Sequence, residues 1–374
     1  MPQRVPNSDG EVALKRTESR CAMEKIKVAF IFGGYSPEYD VSRQSAYSII
    51  RAINSDKYEV ILLGITRQGK WYRYSGAIEA IQSDTWHTDA RHIKSAAISP
   101  SRGAGLLQFS GDSVSAMPVD VVFPVMHGKY GEDGTVQGLC ELAGIPVVGS
   151  GTTASALCMD KDRAHKLASN AGILIPRSVC FEHPINDAEL LSIAGKLKLP
   201  LFVKPVNTGS SFGISKIESY SELPEAVGFA FKFDESVIIE ENIDGFEAGC
   251  AVVGNHDLIT GRIDEIELTH GFFDYEEKYT LKTSKIHMPA RIDAETERRL
   301  QETAKNIYRI LGCRGYARVD MFLTKEQDIV FNEVNTIPGF TSHSRFPNMM
   351  KGIGIEYPAL VDMLIEYGIQ NSKA

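Results

Sequence analysis

Two short runs near the C-terminal end, Arg318-Val319-Asp320-Met321-Phe322-Leu323-Thr324 and Ile329-Val330-Phe331-Asn332-Glu333-Val334-Asn335, alternate apolar and polar residues around a polar turn from Lys325 to Asp328. Strand-forming side chains with that period predict a hairpin with a loop of about four residues. If Thr324 faces Ile329, Asp320 falls opposite Glu333 and Arg318 opposite Asn335. Side chains directly across an antiparallel pair have Cβ atoms roughly 5 Å apart, and like charges placed there repel. Facing acids call for something positive between them. Oxygen ligands with no His or Cys beside them favour Mg²⁺ or Mn²⁺ over zinc. The amide oxygen of Asn335 could be a third ligand, and Arg318 suits phosphate. A surface hairpin with merely solvated charges fits the same pattern, so the rest of the chain has to decide.

A chain of 374 residues is long for one core and points to two or three domains. Its 43% hydrophobic and 24% charged content is that of an ordinary globular protein. The net charge of -8, with no block of Lys and Arg, argues against nucleic acid as a partner, and no apolar run reaches the length of a membrane span. Six scattered cysteines lack the paired spacing of a zinc or redox motif and read as reduced, mostly buried thiols of a cytoplasmic protein. Residues 1–22 are polar with no apolar core, unlike a secretory signal, and read as a disordered leader; Met23 directly precedes the first strand.

Lys25 to Phe32 is a buried-strand pattern ended by Gly33-Gly34, and Val41 to Ile53 has helical periodicity, which together open an α/β domain. The loop from Tyr35 to Asp40 lies at the carboxyl end of a parallel strand, where such sheets bind ligands. Glu38 there could hold an ammonium group, or could cap the following helix. The glycine pair alone would allow dinucleotide binding, but the spaced glycine fingerprint is absent. Tyr58 to Thr66 predicts a second strand, Lys70 to Gly111 gives no clear pattern, and Val119 to Met126 is a buried strand ending in His127-Gly128-Lys129-Tyr130-Gly131-Glu132-Asp133-Gly134. A His in a Gly-rich loop at a strand's carboxyl end reads as a site residue. Val136 to Ala143 predicts a helix and Ile145 to Gly149 a closing strand, and Thr152 to Ala171 looks helical.

The strand Leu201 to Lys204 runs through Pro205 into Asn207-Thr208-Gly209-Ser210-Ser211-Phe212-Gly213 and a strand Ile214 to Ile217. Backbone N–H groups and small hydroxyls in such a turn suit covering phosphates, although an ordinary Gly-rich hairpin reads the same. Val237 to Glu241 is a strand emerging as acids, followed by Ile243 and Glu247. It could offer adenine an apolar wall and acceptors, or be an edge strand with solvated charges. Leu268 to Pro289 is irregular and aromatic, which points to a lid or binding loop in which Lys278 and Tyr279 stand out. Glu295 to Leu311 is an amphipathic helix, Thr336 to Arg345 a second Gly/Ser loop after the hairpin, and Tyr357 to Ile369 a terminal helix.

Taken together, Gly33-Gly34-x-Ser36-x-Glu38, the His127 to Gly134 loop, Met159-Asp160-Lys161, Lys204-Pro205 with Gly209-Ser210-Ser211, Asp274-Tyr275-x-x-Lys278-Tyr279, Arg318-x-Asp320 and Glu333-x-Asn335 through Ser344 resemble the ATP-grasp superfamily. They are closer still to the D-alanine:D-alanine ligase family, over residues 25 to 365. The resemblance implies an α/β (α+β) ATP-grasp fold of three domains: an N-terminal Rossmann-like parallel-sheet domain over 23–150, a central subdomain over 151–240 and a C-terminal subdomain over 241–374 carrying hairpin and lid, with ATP between the last two. It implies that the carboxylate of D-alanine is phosphorylated by ATP and that the amine of a second amino acid displaces the phosphate. Glu38, with His127 nearby, would hold the first ammonium, completed by Ser210 and Tyr279. Lys161, Lys204 and Ser211 would hold ATP phosphates. Glu240, Glu241 and Ile243, with Phe272, would take adenine, and Glu247 the ribose. Asn332 would border the nucleotide, and Asp320, Glu333 and Asn335 would carry two Mg²⁺. Arg318 and the Gly339 N–H would stabilise the oxyanion, Lys278 would close over the phosphate, and Ser344 would take the acceptor carboxylate. A homodimer is the implied assembly.

Depsipeptide-forming relatives usually lose the Lys-Tyr pair, so Lys278-Tyr279 favours an amino acid acceptor. D-alanine-specific members usually carry an apolar residue after the final Ser; this chain has Arg345, which could reach a hydroxyl or point to solvent. With the long lid, the sequence is most similar to the VanG-type D-alanine:D-serine ligases of vancomycin resistance, with a housekeeping D-alanine:D-alanine ligase as the alternative. A non-catalytic nucleotide-binding regulator would need a metal ligand or Arg318 missing, and a nicotinamide-dependent dehydrogenase would need the glycine fingerprint after Phe32.

Overall fold

The structure, a computed structural model, describes residues 24–268 and 284–371. Among them the chain builds three sheets, one after another. The first takes strands β1 (Ile26–Gly33), β2 (Tyr58–Ile65), β3 (Trp71–Tyr74), β4 (Ile93–Ile98), β5 (Leu106–Ser110), β6 (Ser113–Met117) and β7 (Val121–Val125) in the order β6-β5-β4-β3-β2-β1-β7. Its heart, β1 between β2 and β7, is parallel. All five residues of β7 are buried, as expected of a strand covered on both faces. Antiparallel pairing takes over from β3 onward, so the stretch that offered no sequence pattern supplies most of an antiparallel extension of this sheet. Its strands are short and only partly buried, which is why alternation was hard to see.

Helix α1 (Tyr39–Ala52) follows β1, the single turn α2 (Glu79–Gln82) packs on α1, and α3 (Thr135–Ala143) follows the loop after β7. The expected strand over Ile145 to Gly149 is corrected: Val147 makes an isolated bridge to Val122. Pro146 has no N–H to extend a ladder. The single helix expected from Thr152 is two, α4 (Thr152–Met159) and α5 (Lys161–Asn170). Asp160 between them is extended and accepts from the Arg163 N–H, an N-cap that starts the second helix.

The second sheet has β8 (Ser178–Phe181), β9 (Leu201–Pro205), β10 (Ser215–Ile217) and β11 (Val237–Glu241) in the order β10-β9-β11-β8, all antiparallel, with α6 (Asp187–Ala194) and α7 (Leu223–Ala230) packed in its core. The edge-strand alternative for β11 falls away, since it runs between β9 and β8. The third sheet is β14-β13-β12-β15-β16, again antiparallel, from β12 (Gly245–Val253), β13 (Ile259–Leu268), β14 (Ser284–His287), β15 (Tyr316–Thr324) and β16 (Ile329–Asn335). Helix α8 (Ala294–Ile310) buries Thr296, Leu300, Ala304, Ile307 and Tyr308 on one face against it. Two last helices, α9 (Arg345–Lys351) and α10 (Tyr357–Gln370), join the third sheet to the first through a core that includes Phe123, Tyr316, Phe340, Phe346 and Leu364. No described helix is long and apolar enough to cross a membrane.

Candidate active site

The parallel pairing of β1 with β7 sets Phe32 beside Val125, so the loops after the two strands emerge side by side. Glu38 stands at the N-cap position of α1, yet its side chain makes no capping bond. The capping reading is therefore not met. Instead Glu38 is buried and accepts from the Ser210 hydroxyl, far along the chain. A Cβ on Gly128 would lie 2.5 Å from Glu38 Oε2 and 2.9 Å from Ser36 Oγ, and Gly128 has φ +70°, so both space and backbone demand glycine there. His127 is buried with Nε2 3.5 Å from Ser45 Oγ, and Ser45 Oγ also accepts from the Phe340 N–H at 3.3 Å. Burial pushes the His127 imidazole down to about 4, so it is neutral at pH 7.

Glu132 is a group the sequence reading passed over. Its carboxyl accepts from Gly128 N at 2.7 Å and from Ile337 N at 3.3 Å, pinning the loop after β7 to the loop after β16. Burial first, and the nearby charge of Glu38 second, raise it to about 8. Ser210 reaches Glu38 from a tight turn closed by Phe212 N–H to Gly209 O at 3.3 Å, in which Ser210 and Ser211 both have positive φ, 51° and 59°. Glycine or asparagine is the usual choice for such positions. Two serines kept there mark strain at a working turn.

The late hairpin puts Asp320 opposite Glu333 and Arg318 opposite Asn335, by a different route from the one expected. Leu323, not Thr324, pairs with Ile329, and a bulge beside Asp320 adds one residue to β16 and restores the register. The bulge has a second effect. Phe331 and Val334 turn into the core, while consecutive Asn332 and Glu333 both line the cavity described below.

Across the third sheet one row reads Asp264, Gly249, Asp320, Glu333. Arg345 lies over it. Its Nε and Nη2 donate to the two oxygens of Asp264 at 2.7 and 2.8 Å, Nη1 reaches Glu247 at 3.2 Å, and Nη2 is 3.6 Å from Asp320 Oδ1. The expectation that Arg345 presents its donors to an acceptor hydroxyl, or points to solvent, is thus corrected: its side chain is largely buried and spends them on three carboxylates, two of which, Asp264 and Asp320, flank Gly249 in one row and need compensation there. Asp320 is also gripped by Arg318 Nε and Nη2, each at 2.8 Å, and by Asn335 Nδ2 at 2.9 Å. Positive charge beside the facing acids is therefore supplied in part by the chain itself. The hard-oxygen donor set of Asp320, Glu333 and the Asn335 amide suits Mg²⁺, although among the described residues no group of three His, Cys, Asp or Glu side chains forms a ready cluster.

Between the second and third sheets opens a cavity of about 440 Å³. Lys161, Lys204, Thr208 and Ser211 line one side, Asn332 and Glu333 another, and Phe202, Ile243, Phe246, Ile266 and Phe322 give apolar walls. Glu240, Glu241 and Glu247 complete it. Lys204 Nζ sits 2.6 Å from Glu240 Oε2; burial alone would raise the Glu240 carboxyl, but Lys204 and His165 outweigh it and hold it below the usual range. Glu240 Oε1 is buried 3.5 Å from His165 Nδ1, without hydrogen-bond geometry between them. An apolar-walled cavity rimmed by carboxylates fits a base carrying an amino group. Lys161 Nζ donates to Thr208 O at 2.9 Å, propping the serine turn from below. Glu265, Glu267 and Arg291 also line the cavity and were missed, since they sit on strands and a loop with no motif.

Ser344 Oγ accepts from Thr341 N–H at 2.9 Å, and a Cβ on Gly339 would lie 3.4 Å from it, so the second Gly/Ser loop folds on itself. Phe340 anchors that loop among Tyr316, Phe346 and Tyr357 at 5.6–5.8 Å. Phe272, Lys278 and Tyr279, in the part of the expected lid over 269–283, lie outside the described residues, as does the leader; the irregular stretch expected to reach Pro289 is corrected at its end, where Ser284–His287 is a strand paired with β13.

A mixed α/β sheet with a parallel centre, followed by two antiparallel sheets that clasp a lysine- and carboxylate-lined cavity, defines the ATP-grasp fold; the parallel sheet expected for the first domain is parallel only across β2, β1 and β7. Residues 27–150 match the family model described as D-ala D-ala ligase N-terminus, and residues 167–366 the one described as D-ala D-ala ligase C-terminus. The chain belongs to the D-alanine–D-alanine ligase family and is an ATP-dependent ligase. It is similar to the VanG D-Ala:D-Ser ligase of Enterococcus faecalis, whose crystal structure is 56% identical with a TM-score of 0.86, covering 92% of this chain and 100% of that one. The vancomycin B-type resistance protein VanB of Enterococcus faecalis is 46% identical over 93% of this chain and 100% of its own length. The D-alanine–D-alanine ligase B of Clostridium tetani is 42% identical over 93% and 95%.

Proposed function

We propose that the protein joins D-alanine to D-serine with ATP, making a peptidoglycan precursor ending that confers vancomycin resistance. The observation that carries the ligase reading is the Glu38–Ser210 contact, which ties an ammonium-binding carboxylate on the first sheet to the serine turn roofing the cavity. Glu38 would hold the donor ammonium, with neutral His127 and Ser210 around it. Lys161, Lys204 and Ser211 would take phosphates, Glu240 and Ile243 adenine with Glu241 at the rim, and Glu247 the ribose, while Asn332 borders the same space. Arg318 and the Gly339 N–H would face the developing oxyanion, and Ser344 the acceptor carboxylate. Mg²⁺, as two ions on Asp320, Glu333 and Asn335 and replaceable by Mn²⁺, would neutralise phosphate charge. Phe272, Lys278 and Tyr279 keep their proposed roles from the family pattern. A division into 23–150, 151–240 and 241–374, a cytoplasmic location and a homodimer belong to the same reading.

D-serine is favoured by the likeness to the 56% identical D-Ala:D-Ser ligase. A D-alanine acceptor is the second reading, because Arg345 already gives its donors to carboxylates. Supplying ATP with equal D-alanine and D-serine at neutral pH and separating the dipeptides decides between them. A mixed D-Ala-D-Ser product is expected; D-Ala-D-Ala as the dominant product would sink the D-serine assignment.

A further inference from the structure

Tyr130 is a bulky residue in the left-handed region, with φ +67°, inside a loop that offers glycine at positions 128, 131 and 134. Such a residue carries a conformational cost that glycine would remove. Its N–H donates to Asp133 Oδ2 at 2.7 Å, which fixes the turn, but that bond needs no side chain. The ring is also not spent on the core: Tyr130 is 42% exposed and faces Tyr35, 63% exposed, at 6.4 Å between centroids. Lys129 Nζ lies 5.5 Å from the Tyr130 ring.

The placement of the two rings is specific. Tyr35 precedes Ser36, whose hydroxyl accepts from the Glu38 N–H at 3.1 Å, and Tyr130 is two residues after Gly128, which abuts the Glu38 carboxylate. Both aromatic side chains thus rise from the two loops that meet over Glu38. We propose that Tyr35 and Tyr130 form an aromatic gatepost at the entry to the Glu38 site and set the affinity for the donor amino acid. Ring surfaces there exclude water from the ammonium–carboxylate pair, where a lower dielectric strengthens the attraction. The Lys129 ammonium on the Tyr130 ring adds a positive charge on the side that a donor's carboxylate passes. This inference rests on the reading of Glu38 as the ammonium site.

Steady-state kinetics on the full chain, varying D-alanine at saturating ATP, tests it with Tyr35→Ala, Tyr130→Gly, the double variant and Glu38→Gln. Each tyrosine variant is expected to raise the KM for the donor about five- to tenfold with kcat nearly unchanged, in the range that one aromatic contact with a charged ligand supplies. The double variant is expected to fall short of the product of the two. Tyr130→Gly is expected to keep or raise Tm, since it relieves the positive φ, so lost affinity would not reflect misfolding. An unchanged donor KM in both tyrosine variants, with Glu38→Gln impaired, would overturn the gatepost. Unchanged donor kinetics in Glu38→Gln would instead overturn the ammonium-site reading.

Discussion

Replacing Gly249 with alanine is the sharpest way to ask whether Arg345 is the keystone of the third sheet. In most strands Gly→Ala stabilises or changes little, by about 0.4–1 kcal/mol through the unfolded state. Gly249 is different, because the new methyl would meet Arg345 Nη2, lie 2.6 Å from Asp264 Oδ1 and 2.9 Å from Met349 Cε. The guanidinium would have to leave a row in which Asp264 and Asp320 flank the glycine on either side. Overpacking costs about 1–3 kcal/mol, and disturbing a buried, hydrogen-bonded charge cluster adds to it, so a loss of about 2–4 kcal/mol is expected. Urea unfolding gives the midpoint and slope for wild type, Gly249→Ala, Arg345→Met and the pair. The part of the clash due to the guanidinium is gone once Arg345 is replaced, while the contacts with Asp264 and Met349 stay, so the two changes should be non-additive by about 1 kcal/mol. A midpoint unchanged or raised in Gly249→Ala, or strict additivity in the pair, would refute the arrangement.

Ser210→Ala removes the hydroxyl that donates to Glu38, a bond to a charged group worth about 1.5–3 kcal/mol, and should raise the donor KM roughly tenfold or more while leaving the KM for ATP unchanged; initial-rate kinetics read both. Stability against pH carries two opposite signatures. Glu132, raised from 4.5 to about 8, binds more protons folded than unfolded, so its contribution is present below about 4.5 and lost as pH climbs through about 8. His127, lowered from 6.5 to about 4, contributes stability present above 6.5 and lost as pH falls through about 4, roughly 3 kcal/mol in full. Urea midpoints from pH 4 to 9 should therefore show the alkaline decline flattened in Glu132→Gln and the acid decline kept; a parallel curve would count against the buried carboxyl. Arg318→Lys should cost about 2–4 kcal/mol of transition-state stabilisation, seen in kcat, because a lysine cannot reproduce the two-pronged grip on Asp320.

Much of the site was legible because it follows strand ends and loop chemistry. Glu38 and His127 came to one sheet edge since β1 and β7 read as buried runs ending in glycine, and parallel pairing of such strands brings their loops together. The facing of Asp320 and Glu333 was legible from alternation, though the one-residue error at Ile329 shows its limit: a bulge leaves no mark in period-two patterning. Glu132 was hidden because nothing local says that a loop acid will accept from the Ile337 N–H, some two hundred residues away. Arg345 was misjudged for the same reason, since Asp264 and Glu247 reach it only through the order β13-β12-β15. The short strands between β3 and β6 were unreadable because their faces are half-exposed, so hydrophobic alternation is weak.

ADP formation as a function of D-alanine, in wild type and in Asp320→Asn, tests the central claim most directly. The carboxylate row beside the cavity predicts that wild type turns over ATP only when D-alanine is present, and that Asp320→Asn loses at least about a hundredfold of that rate while unfolding cooperatively. D-alanine-independent ADP release by wild type, or near-normal turnover in Asp320→Asn, would contradict it.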